Sequence, residues 1–210
     1  MAKSKPWTRG PKKRAAEGTR KRRRVLIYCE DSKSSADYLN CFPTNGQRVE
    51  VKVVGTGMNT DSLIKAAVKA KQKAITAKES YSEVWCVFDR DSFPLKNYAA
   101  AFSLAKANNI ELAWTNEAFE LWYLLHFDYI DAAISRKDYA KMLADRGLVY
   151  EKADGAFYEK IKNRQEIAIR NAKKLERYWN ETNCPSPERE NPSTRVHVLV
   201  ELLIELAELD

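Results

Sequence analysis

Between residues 25 and 127 the chain alternates short apolar runs with stretches of helical periodicity, and few folds survive that pattern. VLIYC (25–29) is a continuous apolar run of the kind that forms a strand buried on both faces. VEVKVVG (49–55), EVWCVFD (83–89) and IELAWT (110–115) repeat the signal. Helical patterns lie between and after them, over Ser34 to Phe42, Asp61 to Ala77, Tyr98 to Ala107 and Phe119 to Phe127. In the second of these, Leu63, Ile64, Ala67, Val68, Ala74 and Ile75 draw one apolar stripe. Strand and helix in strict alternation demand a parallel sheet with right-handed crossovers and helices on its faces. The expected fold class is therefore α/β, with a mostly parallel four-stranded sheet.

After residue 128 no strong strand signal appears. Lys137–Arg146, Phe157–Trp179 and Pro192–Glu208 read as helices, the last with Asn191 as its cap and Pro192 at its first position. The expected organisation is a tail over 1–23, an α/β core over 24–128 and a helical C-terminal subdomain over 129–210.

Charge divides the chain in the same way. Residues 1–24 hold 11 Lys and Arg against one acid, a net of +10, while the other 186 hold 25 against 28, a net of −3. The tail, broken by Gly and Pro and dense in like charge, reads as disordered. Its Lys12, Lys13, Arg14, Arg22, Arg23 and Arg24 can meet nucleic-acid phosphates, and Trp7 can stack on a base; a solvated, non-specific tail is the other reading. No apolar run has the 18 or so residues of a membrane span, and no secretory signal precedes the core. The four cysteines show no C-x-x-C spacing, which argues against a zinc site or disulfide framework and fits a cytoplasmic protein.

Three acids stand out by position. Glu30 follows the first strand, and Asp89 and Asp91 follow the third. In a parallel sheet the carboxyl ends of all strands share one edge, where open α/β folds bind ligands. Carboxylates gathered there repel one another unless a cation neutralises them. Mg²⁺ or Mn²⁺ suits an all-oxygen site and orients water for phosphodiester hydrolysis. Without a cation, the two aspartates read as turn and cap residues and Glu30 as a solvated loop acid.

Other residues near that edge carry two readings each. Asn116 and Glu120, four apart, either orient a metal-bound water or a substrate phosphate, or cap the helix and balance a buried base. Lys33 can contact a phosphate where Ser32 caps the first helix. Arg90 is a substrate clamp or an ion-pair partner. Gly55-Thr56-Gly57 is a phosphate-approaching loop or a plain β-α turn. His126 reads as a hydrogen-bonded core histidine rather than a catalytic one. The basic residues between Tyr158 and Trp179 either widen a nucleic-acid track or solvate a helix. Neither G-x-G-x-x-G nor a P-loop is present, so dinucleotide and nucleotide-hydrolysing sites are disfavoured.

Hydrophobic-strand–Glu30 followed by hydrophobic-strand–Asp89-x-Asp91 resembles the Toprim signature of topoisomerases, primases and related nucleases. More closely, the chain resembles the RloB family of bacterial restriction and defence loci. RRRVLIYCED (22–31), VWCVFDRDSFP (84–94), NEAFELWYLLHF (116–127) and NPST (191–194) carry the likeness. Two departures are Glu117, where the family pattern has proline, and Asp31, where Toprim strands offer glycine. The resemblance implies a Toprim-like core, with Glu30 as general acid/base and Asp89 and Asp91 as ligands of Mg²⁺ or Mn²⁺. It implies a nuclease on DNA or RNA in anti-phage defence, with an ATPase partner of the same locus. The alternative is a non-catalytic nucleic-acid-binding or effector subunit of a defence complex.

Overall fold

The structure, a computed structural model, describes residues 22–44, 46–90, 95–148 and 156–209. The first eight elements are β1 (Arg23–Cys29), α1 (Ser34–Asn40), β2 (Val49–Gly55), α2 (Thr60–Thr76), β3 (Glu83–Asp89), α3 (Leu95–Ala107), β4 (Glu111–Asn116) and α4 (Glu120–Leu125). The alternation expected from the apolar runs is the one that forms. Then come α5 (Arg136–Ala144), α6 (Ala156–Ile161), α7 (Gln165–Glu181), β5 (Ser193–Thr194) and α8 (Val196–Leu209). A 3-10 turn over Lys162–Arg164 separates α6 from α7, so the single helix expected over Phe157–Trp179 is broken near its start.

The described residues form one five-stranded sheet, in the order β2-β1-β3-β4-β5, and not the four strands expected. β1 to β4 are parallel. β5 pairs antiparallel with β4, through Thr115 opposite Thr194 and Asn116 opposite Ser193. The Asn191 cap and Pro192 start are thereby corrected. The last helix begins four residues later, because Ser193 and Thr194 give their backbone to the edge of β4. Thr194 Oγ1 instead accepts the Val196 N–H at 3.2 Å. Buried Glu190 anchors the turn before it, taking Ser193 Oγ at 2.9 Å and Arg195 at 3.3 Å.

Two apolar layers explain why the strands read as unbroken hydrophobic runs. On one face Val25, Ile27, Cys29, Trp85, Val87 and Ala113 join α1, α4, α5, α7 and α8 in a single core. On the other, Leu26, Val84, Cys86, Phe88 and Trp114 pack on α2 and α3. All four thiols are free, and burial pushes Cys86 up to about 12.

Arg22, Arg23 and Arg24, read above with the tail, belong to the sheet. Arg22 Nε donates to the Val49 carbonyl at 3.0 Å. Arg23 pairs with Glu83 at 2.6 Å and Glu205 at 2.9 Å, and Arg24 with Glu50 at 2.9 Å. Their charge is matched by acids on neighbouring elements instead of being held for phosphates. Lys12, Lys13, Arg14 and Trp7 lie outside the described residues.

Gly55 ends β2 where the chain leaving β1 crosses over it. A Cβ there would stand 2.5 Å from Ser32 Cα and 3.1 Å from the Asp31 carbonyl oxygen. Both are backbone atoms that cannot swing away, so glycine is required by close approach. Gly55→Ala is expected to destabilise the protein by about 1–3 kcal/mol, the usual cost of overpacking, read as a lower urea midpoint. An unchanged midpoint would show that the 30–33 segment yields freely.

Candidate active site at the carboxyl edge of the sheet

The order of the sheet selects a place for chemistry. From β1 the chain steps to β2 on one side, and from β3 to β4 on the other. The gap between β1 and β3 is thus the topological switch point, where open α/β sheets bind ligands beyond their carboxyl ends. Glu30 and Asp89 stand at that gap. The β1–β3 register sets Cys29 opposite Val87, and the Glu30 N–H extends the ladder to the Val87 carbonyl at 2.8 Å. Glu30 is therefore level with Phe88, one residue short of Asp89, the last residue of β3. Both acids line one pocket of about 300 Å³, together with Asp31, Gly57, Met58, Asn59 and Arg136.

Asp31 is largely occupied in holding the chain. Its Oδ1 accepts the Lys33 N–H at 2.7 Å, and its Oδ2 accepts the Ser35 N–H at 3.2 Å and the Ser35 hydroxyl at 2.7 Å. Asp31 therefore does the capping expected of Ser32, and its charge meets the exposed donors at the start of α1. The residue that departs from the Toprim pattern thus fixes the turn carrying Glu30.

Arg136 reaches the pocket from α5. Its guanidinium lies 3.7 Å from Asp89 Oδ2, with the Asp89 side chain 16% exposed and that of Arg136 42% exposed. The Arg136 N–H donates to Glu117 Oε2 at 3.1 Å, so Glu117 secures the start of α5. Behind them Glu120 is buried at 6% exposure, and its Oε2 has no hydrogen-bond partner among the described residues. Tyr139 is fully buried alongside. Burial pushes its hydroxyl upward, the Glu117 backbone pulls against that, and the charges of Glu117, Glu120 and Asp89 push it up again, which places all three acids in its neighbourhood.

The remaining expectations separate. Asp91 lies outside the described residues. Asn116 ends β4 instead of entering a helix, and it shares no helix face with Glu120, which opens α4. Its Nδ2 donates to the Glu190 carbonyl at 2.6 Å, so it neither caps α4 nor lines the pocket; it ties the sheet to the turn before β5. Lys33 is exposed and does not line the pocket. Arg90 continues the ladder to the Thr115 carbonyl at 2.8 Å, and its Nε is buried with no partner among the described residues. In the glycine loop, Gly57 needs its φ of +66°, and Thr56 Oγ1 donates to the Cys29 carbonyl at 2.9 Å. Gly57 alone of the loop's three residues borders the pocket.

Farther away, His126 sits in the core with Nδ1 2.9 Å from the Trp122 carbonyl. The bases of the α6–α7 stretch are largely engaged locally. Lys162 pairs with Glu159 at 2.6 Å and Lys173 with Glu201 at 2.5 Å, while Arg164 covers Phe127 and Lys174 covers Tyr129. These contacts lace the surface of the stretch with matched charge. Among the described residues no helix is long and apolar enough to cross a membrane.

Arg136 and Tyr139 were not singled out by sequence reasoning, and Glu117 only as a departure from the family pattern. Ser135-x-x-Asp138 marks a helix start, and Ser135 Oγ does donate to Asp138 at 2.7 Å. Nothing in that local signal says the helix returns to the sheet edge, since the return is a tertiary contact.

The carboxylates of Glu30, Asp31 and Asp89 and the amide of Asn59 offer oxygen to the pocket, with no His or Cys among its lining residues. Among the described residues, no group of three or more His, Cys, Asp and Glu gathers as a metal-holding cluster. None of the curated proteins or solved structures compared with the chain matches it. A family model described as RloB-like protein matches residues 25–203, which spans β1 through most of α8 and takes in every part of the pocket described above. The chain belongs to the RloB-like protein family.

Proposed function

We propose that this protein is a metal-dependent nuclease that hydrolyses phosphodiester bonds of DNA or RNA, in anti-phage defence and under the control of an ATPase partner. One observation carries the chemistry. Glu30 and Asp89, from adjacent parallel strands, line one open pocket at the switch point of the sheet. The Toprim-like order of strand–Glu30 and strand–Asp89-x-Asp91, together with the family's place in defence loci, supports the biological role.

The carboxylate oxygens of the pocket suit Mg²⁺ or Mn²⁺. Asp89 and Asp91 would hold the ion, with Asp91 supplying the oxygen that the described residues lack. A bound ion would supply Lewis acidity and offset the charge that builds up on the phosphoryl oxygens. Glu30 takes the proton of the attacking water and returns it to the leaving oxygen. Asp31 and Gly55 keep Glu30 in place through the tight crossing after β1. The tail residues Lys12, Lys13 and Arg14 add affinity without sequence preference, by displacing counterions from phosphates.

The second reading, a non-catalytic nucleic-acid-binding or effector subunit, is favoured by the Asp89–Arg136 pair. That contact sets a guanidinium against Asp89 with no need of a metal ion. Melting the chelator-treated protein against Mn²⁺ separates the two. A saturating ion at about 100 times its Kd adds about 2.7 kcal/mol, which for a chain of this size is a rise of roughly 5–10 °C. The same preparations are offered DNA and RNA panels with Mg²⁺, with Mn²⁺ and with chelator, in the presence of the ATPase partner. Cleavage that stops in chelator is the expected result. A flat melting response, together with no chelator-sensitive cleavage, would move the binding subunit ahead.

A further inference from the structure

We propose that Glu120 helps to hold the divalent ion of this site, by accepting a hydrogen bond from a water that the ion keeps. The inference rests on the reading above, that the site takes such an ion, and adds a positioning residue from outside the strand–acid motifs.

Glu120 carries the cost of a buried acid without the usual compensation. It opens α4, is 6% exposed, and its Oε2 has no hydrogen-bond partner among the described residues. A carboxylate oxygen taken out of water calls for a donor or a cation. Its neighbours Phe119, Leu121 and Trp122 are buried and apolar. Replacing a buried charge by an apolar residue of like volume is often neutral or stabilising, so packing alone does not ask for an acid here.

The backbone brings Glu120 to the acids of the pocket. Asp89 stands opposite Thr115 of β4, and Glu120 follows Thr115 by five residues. From the other side comes α5. Its Arg136 reaches Asp89 at 3.7 Å, and Tyr139, three residues on, shares that helix face. Tyr139 is fully buried, and its hydroxyl has no hydrogen-bond partner among the described residues. The charges of Glu117, Glu120 and Asp89 all act on that hydroxyl. A donor set among three acids, yet bonded to none of their carboxylates, marks a polar space wider than one hydrogen bond. Ions of the Mg²⁺ type keep several waters and take only one or two carboxylates directly. Glu120 Oε2 and the Tyr139 hydroxyl are acceptors for such waters, behind the wall that Asp89 presents to the open pocket. Partners of this outer kind orient what an ion holds and add to its affinity.

The test uses the full chain and needs no nucleic acid. Mn²⁺ is titrated calorimetrically into the chelator-treated protein and into Glu120→Gln, Glu120→Asp and Glu117→Gln, and each is melted with and without the ion. Glu120→Gln should weaken Mn²⁺ binding by about 10–100-fold. Glu120→Asp keeps the charge but draws it back by one methylene, and should recover only part of that loss. Glu117→Gln removes a charge from the same neighbourhood and leaves an oxygen for the Arg136 N–H, so it should cost at most about fivefold. Without the ion, Glu120→Gln should melt roughly 2–4 °C above the unaltered protein, since a neutral amide of the same shape replaces an uncompensated acid. If the unaltered protein binds Mn²⁺ and Glu120→Gln binds it as tightly, Glu120 has no part in the centre while the metal reading stands. If Glu120→Gln and Glu117→Gln lose affinity equally, only the general field of the acids counts and the water-borne contact is wrong. A metal-free Glu120→Gln that melts lower would show the carboxylate already compensated by the fold, and overturn the argument from burial. If the unaltered protein does not bind Mn²⁺, the metal reading itself has failed and this proposal falls with it.

Discussion

Glu30→Gln is expected to lower the rate of strand cleavage by about 10²–10⁴-fold while leaving Mn²⁺-induced stabilisation nearly intact. The amide keeps the size and the polar contacts of the carboxylate but cannot take a proton. Asp89→Asn should behave differently. It removes a charge that holds the ion, so the Mn²⁺-dependent rise in melting temperature shrinks and excess Mn²⁺ restores part of the activity. Combining the two changes should cost much less than the product of the single losses, as for groups that act as a unit. Neither change should greatly destabilise the metal-free protein, because each removes one of three acids that line the same pocket. The measurements are cleavage of DNA and RNA panels and melting curves for both variants and their double. Full activity in either single variant, or equal Mn²⁺ dependence in both, would sink the assignment of roles.

A second large effect concerns the core, and its readout is acid stability. His126 is fully buried between α4 and the helices packed on it, with Tyr38 and Trp122 edge-on to its ring. Burial outweighs its hydrogen bonds and pushes it from an ordinary 6.5 down to about 4. The folded protein therefore keeps His126 neutral where the unfolded chain would protonate it. Stability is full above about pH 6.5, falls as the pH drops toward about 4, and levels off below that. The loss over that window is about 3 kcal/mol, at about 1.4 kcal/mol for each pH unit. Buried His197 is displaced in the same direction, by burial first, and so adds to the slope. Urea melts between pH 7 and pH 4 read the total. With two histidines in the chain, proton NMR titration can follow each ring directly. A His126 ring that titrates near 6.5 in the folded protein would contradict this account.

Much of the architecture was legible because it was local. β1 to β4 each fall on an apolar run, and α2 falls on its stripe, with Asn59 capping at 3.0 Å to the Ser62 N–H. The placement of Glu30 and Asp89 followed from strand ends and parallelism alone. What escaped was what depends on contacts between distant segments. Ser193 and Thr194 carry no strand signal of their own, and only the open side of β4 makes them one. Arg23 and Arg24 looked like tail because their acids, Glu83, Glu205 and Glu50, lie far along the chain. Asn116 looked like a cap because Glu190, its true partner, is 74 residues away. Arg136 was invisible as a pocket residue for the same reason.

The Arg23–Glu205 pair joins residues 182 apart, and the sheet face that carries Val25 and Ile27 is covered in part by Leu199 and Leu203 of α8. At synthesis rates of about 5–20 residues per second, the ribosome reaches those partners roughly 10–35 s after it has made the first strand. Until then β4 lacks its neighbour, and the face under α1, α4, α5 and α7 lacks the part of its cover that α8 supplies. The acids that line the pocket are thus all translated well before the last strand and helix complete the sheet and its cover.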